Sequence, residues 1–182
     1  MNDTLTDWFS CNSGVRQGDN LSPTLFSIFI NDLVQEVKDL NFGVIQRRES
    51  GVVSFDLSWI EYQDGLGYIN TEFWLGNKYS HLLTSQSDYE LRIDLEDFEN
   101  QRRYAKYSTF EIAGSEDKYR LTIEGYTGDS GDSFGGSNGY PFTSKDQDND
   151  NWAANCGFYL GAWWHSDGNL NGSITRMDRI LV

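Results

Sequence analysis

The chain has 182 residues, with 14 Lys and Arg against 28 Asp and Glu, for a formal charge of −14. That balance excludes a binder of phosphate backbones, whose affinity rests on Lys and Arg, and suits a protein that attracts cations. The length fits one domain, or one domain with an appendage. Eighteen glycines, two prolines and 15% aromatic residues predict a sheet-rich body whose turns come from Gly, Asn, Asp and Ser.

The first residues, "MNDTLTDWFS", have no basic start and no apolar run, so no signal peptide is expected. Ser22 followed by Pro23 predicts a helix start, with an N-cap oxygen and then a fixed φ. Leu25, Phe26, Phe29, Ile30, Leu33, Val37 and Leu40 follow at helical spacing, giving an amphipathic helix. Its most apolar part, "LFSIFINDLV", is too short and too polar to span a membrane. From Ile45 onward the style changes to strands and turns. Ser58 and Glu61 form a capping-box pattern, opening a short helix that Gly65 or Gly67 can end. "TEFWLGNKYSHLLTSQ" predicts a second helix among turn residues. "YELRIDLEDF" alternates, with Leu91, Ile93 and Leu95 on one face and Arg92, Asp94 and Glu96 on the other. Phe110 to Ile112 and Tyr119 to Tyr126 repeat the pattern, which predicts antiparallel strands with one wet face. "TGDSGDSFGGSNG" reads as a glycine-rich loop.

The stretch "KDQDNDNWAANC" is the chemically suggestive one. Asp146, Asp148 and Asp150 stand two apart in a sequence already rich in acid. Like charges so close repel unless a cation or water lies between them. Composition alone leaves a solvated acidic turn and a metal site both open. An EF-hand loop is excluded, because Asn151 stands at its glycine position and Gly157 at its bidentate glutamate position. Cys11 and Cys156 do not make a disulfide framework. His81 and His165 lie in no recognisable nucleophile–base pattern, so no enzyme is expected.

Two family resemblances add to this reading. "GVRQGDNLSPTLFSIFINDL", Gly14 to Leu33, resembles a palm-domain segment of non-LTR retroelement reverse transcriptases. The metal-holding Tyr-Ala-Asp-Asp turn of that family has no counterpart in this sequence, so the resemblance implies no polymerase. "GVIQRRESG", "FWLGNKYSHLLTSQ", "YELRIDLEDFENQRRYAKYSTFEIA", "YRLTIEGYTGDSGDS", "NGYPFTSKDQDNDNWAANC", "GAWW" and "NLNG" together resemble the fibrinogen-related domain of ficolins, tachylectins and fibrinogen chains. The expected organisation is a reverse-transcriptase-like fragment over residues 1–42 and a partial fibrinogen-related domain over 43–182. The expected fold is α+β: an antiparallel sheet with short helices and a long calcium-binding loop region, preceded by the amphipathic helix.

The second resemblance implies a structural Ca²⁺ held by the carboxylates of Asp148 and Asp150 and the backbone carbonyls of Trp152 and Ala154. Asp146 is then an outer residue or faces solvent. It also implies a ligand pocket beside that loop near Tyr159, Trp163, Trp164 and His165, with core packing the alternative for the two tryptophans. Implied partners are acetylated glycans or extracellular proteins, in an innate-immune or adhesive role and an extracellular setting. The family's partner for Cys156 has no counterpart here, and "AWWHSDGNLNG" is shorter than the family's segment. The domain is therefore expected to be incomplete at both ends. The rival expectation is a chimeric or truncated product without ligand binding.

Overall fold

The computed structural model describes residues 43–166, and the backbone of 177–181. The amphipathic helix expected after Ser22, the retroelement-like segment, Cys11 and "NLNG" lie outside the described residues. In sequence order the elements are β1 (Val44–Arg48), α1 (Trp59–Asp64), β2 (Leu66–Gly67), β3 (Phe73–Trp74), α2 (Asn77–Thr84), β4 (Leu91–Glu96), β5 (Arg102–Ile112), β6 (Leu121–Gly128), α3 (Cys156–Leu160) and β7 (Met177–Leu181), with two 3₁₀ turns at Ser115–Asp117 and Gly135–Ser137. Among the described residues the strands form one antiparallel sheet in the order β2-β3-β1-β7-β4-β5-β6. The fold is the expected α+β class. β7 runs through its middle, paired with β1 on one side and β4 on the other.

Local chemistry accounts for most elements. α1 begins at Ser58, and Glu61 accepts from both the Ser58 N–H (2.8 Å) and the Ser58 hydroxyl (2.6 Å). It ends at Gly65, whose φ of 92° a Cβ-bearing residue would resist. In β4 the expected alternation is present: Leu91 and Ile93 are buried, while Arg92 is exposed. β5 is longer than the "FEI" segment suggested. Its first half, Arg102 to Tyr107, pairs with β4. That half is polar near the hairpin tip, so hydrophobic alternation does not reveal it. Its second half docks on α2 instead. There the Ile112 N–H donates to Thr84 Oγ1 (3.1 Å), and His81 Nδ1 donates to the Ile112 carbonyl (2.8 Å).

The core beside the sheet is aromatic. Trp74, Phe142, Trp163 and Trp164 are each almost fully buried. Ring centroids lie 5.0 Å apart for Phe142–Trp164, 5.1 Å for Trp163–Trp164 and 6.1 Å for Trp74–Phe142. The indole N–H and phenol O–H of such residues need partners when buried. Trp164 Nε1 donates to Tyr119 O (2.7 Å), Trp74 Nε1 to Tyr62 O (3.1 Å) and the Tyr62 hydroxyl to Phe55 O (2.6 Å).

One buried carboxylate organises the connection from β1 to α1. Glu72 is 2% exposed. Its Oε1 accepts the N–H groups of Glu49, Ser50 and Gly51 at 2.7, 2.6 and 2.7 Å, and its Oε2 accepts that of Val53 at 2.8 Å. Burial opposes ionisation, but the four donors outweigh it and bring the carboxyl down from 4.5 to about 2.

Two outcomes follow from these contacts. Above about pH 4.5 Glu72 is ionised in both folded and unfolded states, and its full stabilisation is present. That stabilisation, roughly 3 kcal/mol, is lost as pH falls from there toward about 2. Glu72→Gln should lower the unfolding free energy at neutral pH by about 2–3 kcal/mol and flatten the acid limb in urea titrations. An acid limb identical to wild type would refute the role given to this carboxylate. Trp164→Phe should cost about 1–3 kcal/mol, because it leaves the Tyr119 carbonyl without its buried donor. A chemical-denaturation midpoint equal to wild type would count against that.

Candidate functional site

The acidic stretch lies in a loop whose two ends are tied together. Thr143 and Trp163 form an antiparallel bridge, each donating its N–H to the other's carbonyl at 3.0 Å. Phe142 before the bridge and Trp164 after it are both core residues. The loop thus leaves and re-enters the core at one place.

Two asparagines hold its interior. Asn149 donates from Nδ2 to Phe142 O (2.7 Å) and from its backbone N–H to Thr143 Oγ1 (3.2 Å). Asn155 donates from Nδ2 to Ser144 O (3.0 Å) and Lys145 O (3.3 Å). Its Oδ1 accepts the Phe158 N–H (3.1 Å), so the same asparagine caps α3. Gly157 fits here because a Cβ would come within 2.6 Å of the Ser144 backbone.

The three aspartates take different roles. Asp146 Oδ1 accepts from the Ser144 hydroxyl and from the Trp59 N–H of α1, both at 2.7 Å. Burial works against its ionisation, but these two donors hold the carboxyl below its ordinary range. Asp148 Oδ1 accepts the Asp150 N–H (3.3 Å). Asp150 accepts the Trp152 N–H at Oδ1 and the Cys156 N–H at Oδ2, both at 2.8 Å. Among the described residues no Lys or Arg forms an ion pair with Asp148 or Asp150.

Several oxygens of this loop keep acceptor capacity. Asp148 Oδ2 and the Trp152 carbonyl accept no hydrogen bond among the described residues, and the Ala154 carbonyl meets only the Cys156 thiol at 3.8 Å. A carboxylate oxygen with one N–H donor keeps acceptor capacity, so Asp150 remains available. Ca²⁺ takes six to eight oxygens at ~2.3–2.6 Å, including carbonyls and water. Among the described residues no group of three or more His, Cys, Asp and Glu side chains is placed to hold a metal. A cation held here would rest on the Asp148 and Asp150 carboxylates together with backbone carbonyls.

The remaining sequence-predicted residues divide sharply. Trp163, Trp164 and His165 are buried. His165 Nε2 donates to Gly161 O (2.8 Å), and burial lowers its pKa, favouring the neutral ring. Tyr159 is 72% exposed on α3. Sequence reasoning did not single out three further side chains: Phe158, whose ring meets Tyr159 edge-on at 5.2 Å, Leu160, which follows on α3, and Trp152 in the preceding loop. All three are more than half exposed. A signal for them existed. Consecutive residues on a helix point about 100° apart, so a one-turn helix reading "FYL" cannot bury all three. Cys156 forms no disulfide among the described residues. Its thiol is pushed up by burial and by the Asp150 and Asp148 carboxylates, which keeps it protonated.

Residues 17–179 match the family model described as the fibrinogen beta and gamma chains, C-terminal globular domain. That match begins at residue 17, inside the segment expected from the sequence to be reverse-transcriptase-like. Fibrinogen C domain-containing protein 1 of Xenopus tropicalis is 50% identical over 142 residues, covering 73% of this chain and 31% of that protein. The Homo sapiens protein of that name is 46% identical over the same share of each. The chain thus spans about a third of the length of these curated relatives. Among solved structures, the fibrinogen-like globe domain of human ANGPTL6 superposes with a TM-score of 0.73 at 33% identity, over 77% of this chain and 76% of that one. A lamprey fibrin D-dimer complexed with the peptide Gly-His-Arg-Pro-amide gives a TM-score of 0.65 at 30% identity, over 77% of this chain and 61% of that one. With its sheet, its clamped acidic loop and a family match over most of its length, this protein belongs to the family of C-terminal globular domains found in the fibrinogen beta and gamma chains.

Proposed function

We propose that this protein is a calcium-dependent recognition module that binds extracellular protein, peptide or acetylated-glycan ligands. The observation that carries this is the pairing of two features on one loop. Asp148 and Asp150 stand without basic partners among the described residues, next to open carbonyls. Directly after them, Trp152, Phe158, Tyr159 and Leu160 present aromatic and apolar surface to solvent. A cation between the carboxylates removes their repulsion and fixes the loop. The fixed loop then presents the exposed rings as a ligand face, on which rings can stack against apolar or acetyl groups. A relative bound to the peptide Gly-His-Arg-Pro-amide supports ligand recognition as the family's kind of activity. Millimolar extracellular calcium suits a site with only two carboxylates. Among the described residues no helix is long and apolar enough to cross a membrane.

The calcium would bind chiefly through Asp148, Asp150 and the carbonyls of Trp152 and Ala154. It would supply charge neutralisation and rigidity, with no bond-making chemistry. Thermal unfolding is the first measurement. Calcium at a hundredfold excess over Kd should add ~2.7 kcal/mol to stability compared with EDTA. Asp148→Ala/Asp150→Ala should abolish that increment and keep a cooperative transition. A wild-type midpoint indifferent to calcium would overturn the metal reading. With calcium bound, Tyr159→Ala should weaken retention on acetylated-sugar or peptide resins without changing the calcium increment. Equal retention would remove α3 from the ligand face.

A further inference from the structure

Asp146 accepts hydrogen bonds from the loop and from α1 at a single oxygen. Ser144 Oγ and the Trp59 N–H both reach its Oδ1 at 2.7 Å. Trp59 is the first residue of α1, where the N–H has no partner within the helix. Eighty-seven positions separate it from Asp146 in sequence. Two further contacts join the same two segments. Lys145 Nζ donates to Asp56 O (2.7 Å) and pairs with the Asp56 carboxylate (3.2 Å). The rings of Trp59 and Tyr62 lie 6.0 and 5.3 Å from that of Phe142, at the root of the loop. On its other side Asp146 is followed, two residues on, by Asp148. The Ser144–Gln147 turn that contains Asp146 is closed by hydrogen bonds of 3.0 and 3.2 Å. Asp146 therefore contacts both the start of α1 and the turn that leads to Asp148.

Resting on the calcium reading above, we propose that Asp146 is a positioning residue: it couples α1 to the loop, so that the helix presets the Asp148 and Asp150 carboxylates for their cation and the cation in turn stiffens α1. Both donors engage Asp146 at Oδ1, and its part in the proposal is to hold the loop against α1. The neighbouring charged groups are Lys145, which is drawn toward Asp56, and the Asp148 carboxylate beyond the turn. Coupling of this kind is reciprocal: whatever α1 contributes to cation affinity, the cation returns to α1. Partners that orient a metal's ligands typically change affinity by about 10–100-fold when removed.

The test uses the full-length protein and two readouts. In EDTA, hydrogen–deuterium exchange of Asp146→Ala should rise together over residues 59–64 and 147–156, relative to wild type. Calcium titration calorimetry on the same variant should show affinity weakened on the order of tenfold. Asp146→Asn retains one oxygen for the Trp59 N–H and loses the charge and the second acceptor oxygen. It should fall between wild type and Asp146→Ala in both readouts, and it replaces Asp146→Ala where that variant does not fold. Exchange that rises only at residues 144–147, with α1 unchanged, overturns the proposal. So does a calcium affinity equal to wild type in a variant whose α1 exchange has risen. Should wild type take up no calcium, the calcium reading fails by itself, and the exchange arm in EDTA decides whether helix and loop are coupled.

Discussion

The Thr143–Trp163 bridge is the constraint on which the loop and its surface depend. It joins the two ends of the acidic segment by two backbone hydrogen bonds. Closing a loop costs entropy that grows slowly with its length. The aromatic residues next to the bridge offset that cost. Phe142, Trp163 and Trp164 pack against Trp74 and Phe134, and large rings of this kind dominate the energetics of a core. The loop between the anchored ends needs no hydrophobic content of its own. It can hold charge, open carbonyls and exposed rings because its exit and entry are fixed elsewhere.

A second theme is how an acidic protein places its carboxylates. The carboxylates that fold this protein are held mainly by backbone donors. Glu72 gathers four N–H groups from one connection. Asp97 accepts the N–H groups of Glu99 and Gln101 at the β4–β5 hairpin. Asp132 accepts from the Tyr107 hydroxyl and the Gly135 N–H, and Asp146 from Trp59. Charge-assisted hydrogen bonds of this type are stronger than neutral ones and need no basic residue. The ion pairs, by comparison, lie on partly exposed side chains, where such pairs contribute little. Asp148 and Asp150 also accept backbone donors, but their placement leaves oxygen capacity open toward solvent. Their difference from the other acids lies in surroundings and not in residue type.

α3 and the residues flanking it show how exposure and packing separate within eleven residues, Asn155 to His165. Asn155 and Gly157 face inward and close the turn, while Phe158, Tyr159 and Leu160 point out. Trp163, Trp164 and His165 then return to the core. The aromatic residues of one short stretch thus serve two purposes. One group holds the loop in place and the other is exposed to solvent.

The sequence by itself determined the local features. Ser58, Glu61 and Gly65 mark both ends of α1, because capping and a positive φ are properties of adjacent residues. Leu91 and Ile93 mark the buried face of β4 through a period of two. The family resemblance, carried by motifs from residue 43 onward, matches the observed sheet and the match over residues 17–179. What depends on contacts distant in sequence was decided only by the tertiary structure. The first half of β5 is a strand because β4 lies beside it, not because its own residues alternate. Glu72 looked like any acid until the fold brought four N–H groups to it. Asp146 looked like its neighbours until Trp59, far away in sequence, came within 2.7 Å. Spacing can say that three aspartates stand two apart. Only the packing of α1 against Phe142 brings the Trp59 N–H to Asp146 and to neither of the other two aspartates.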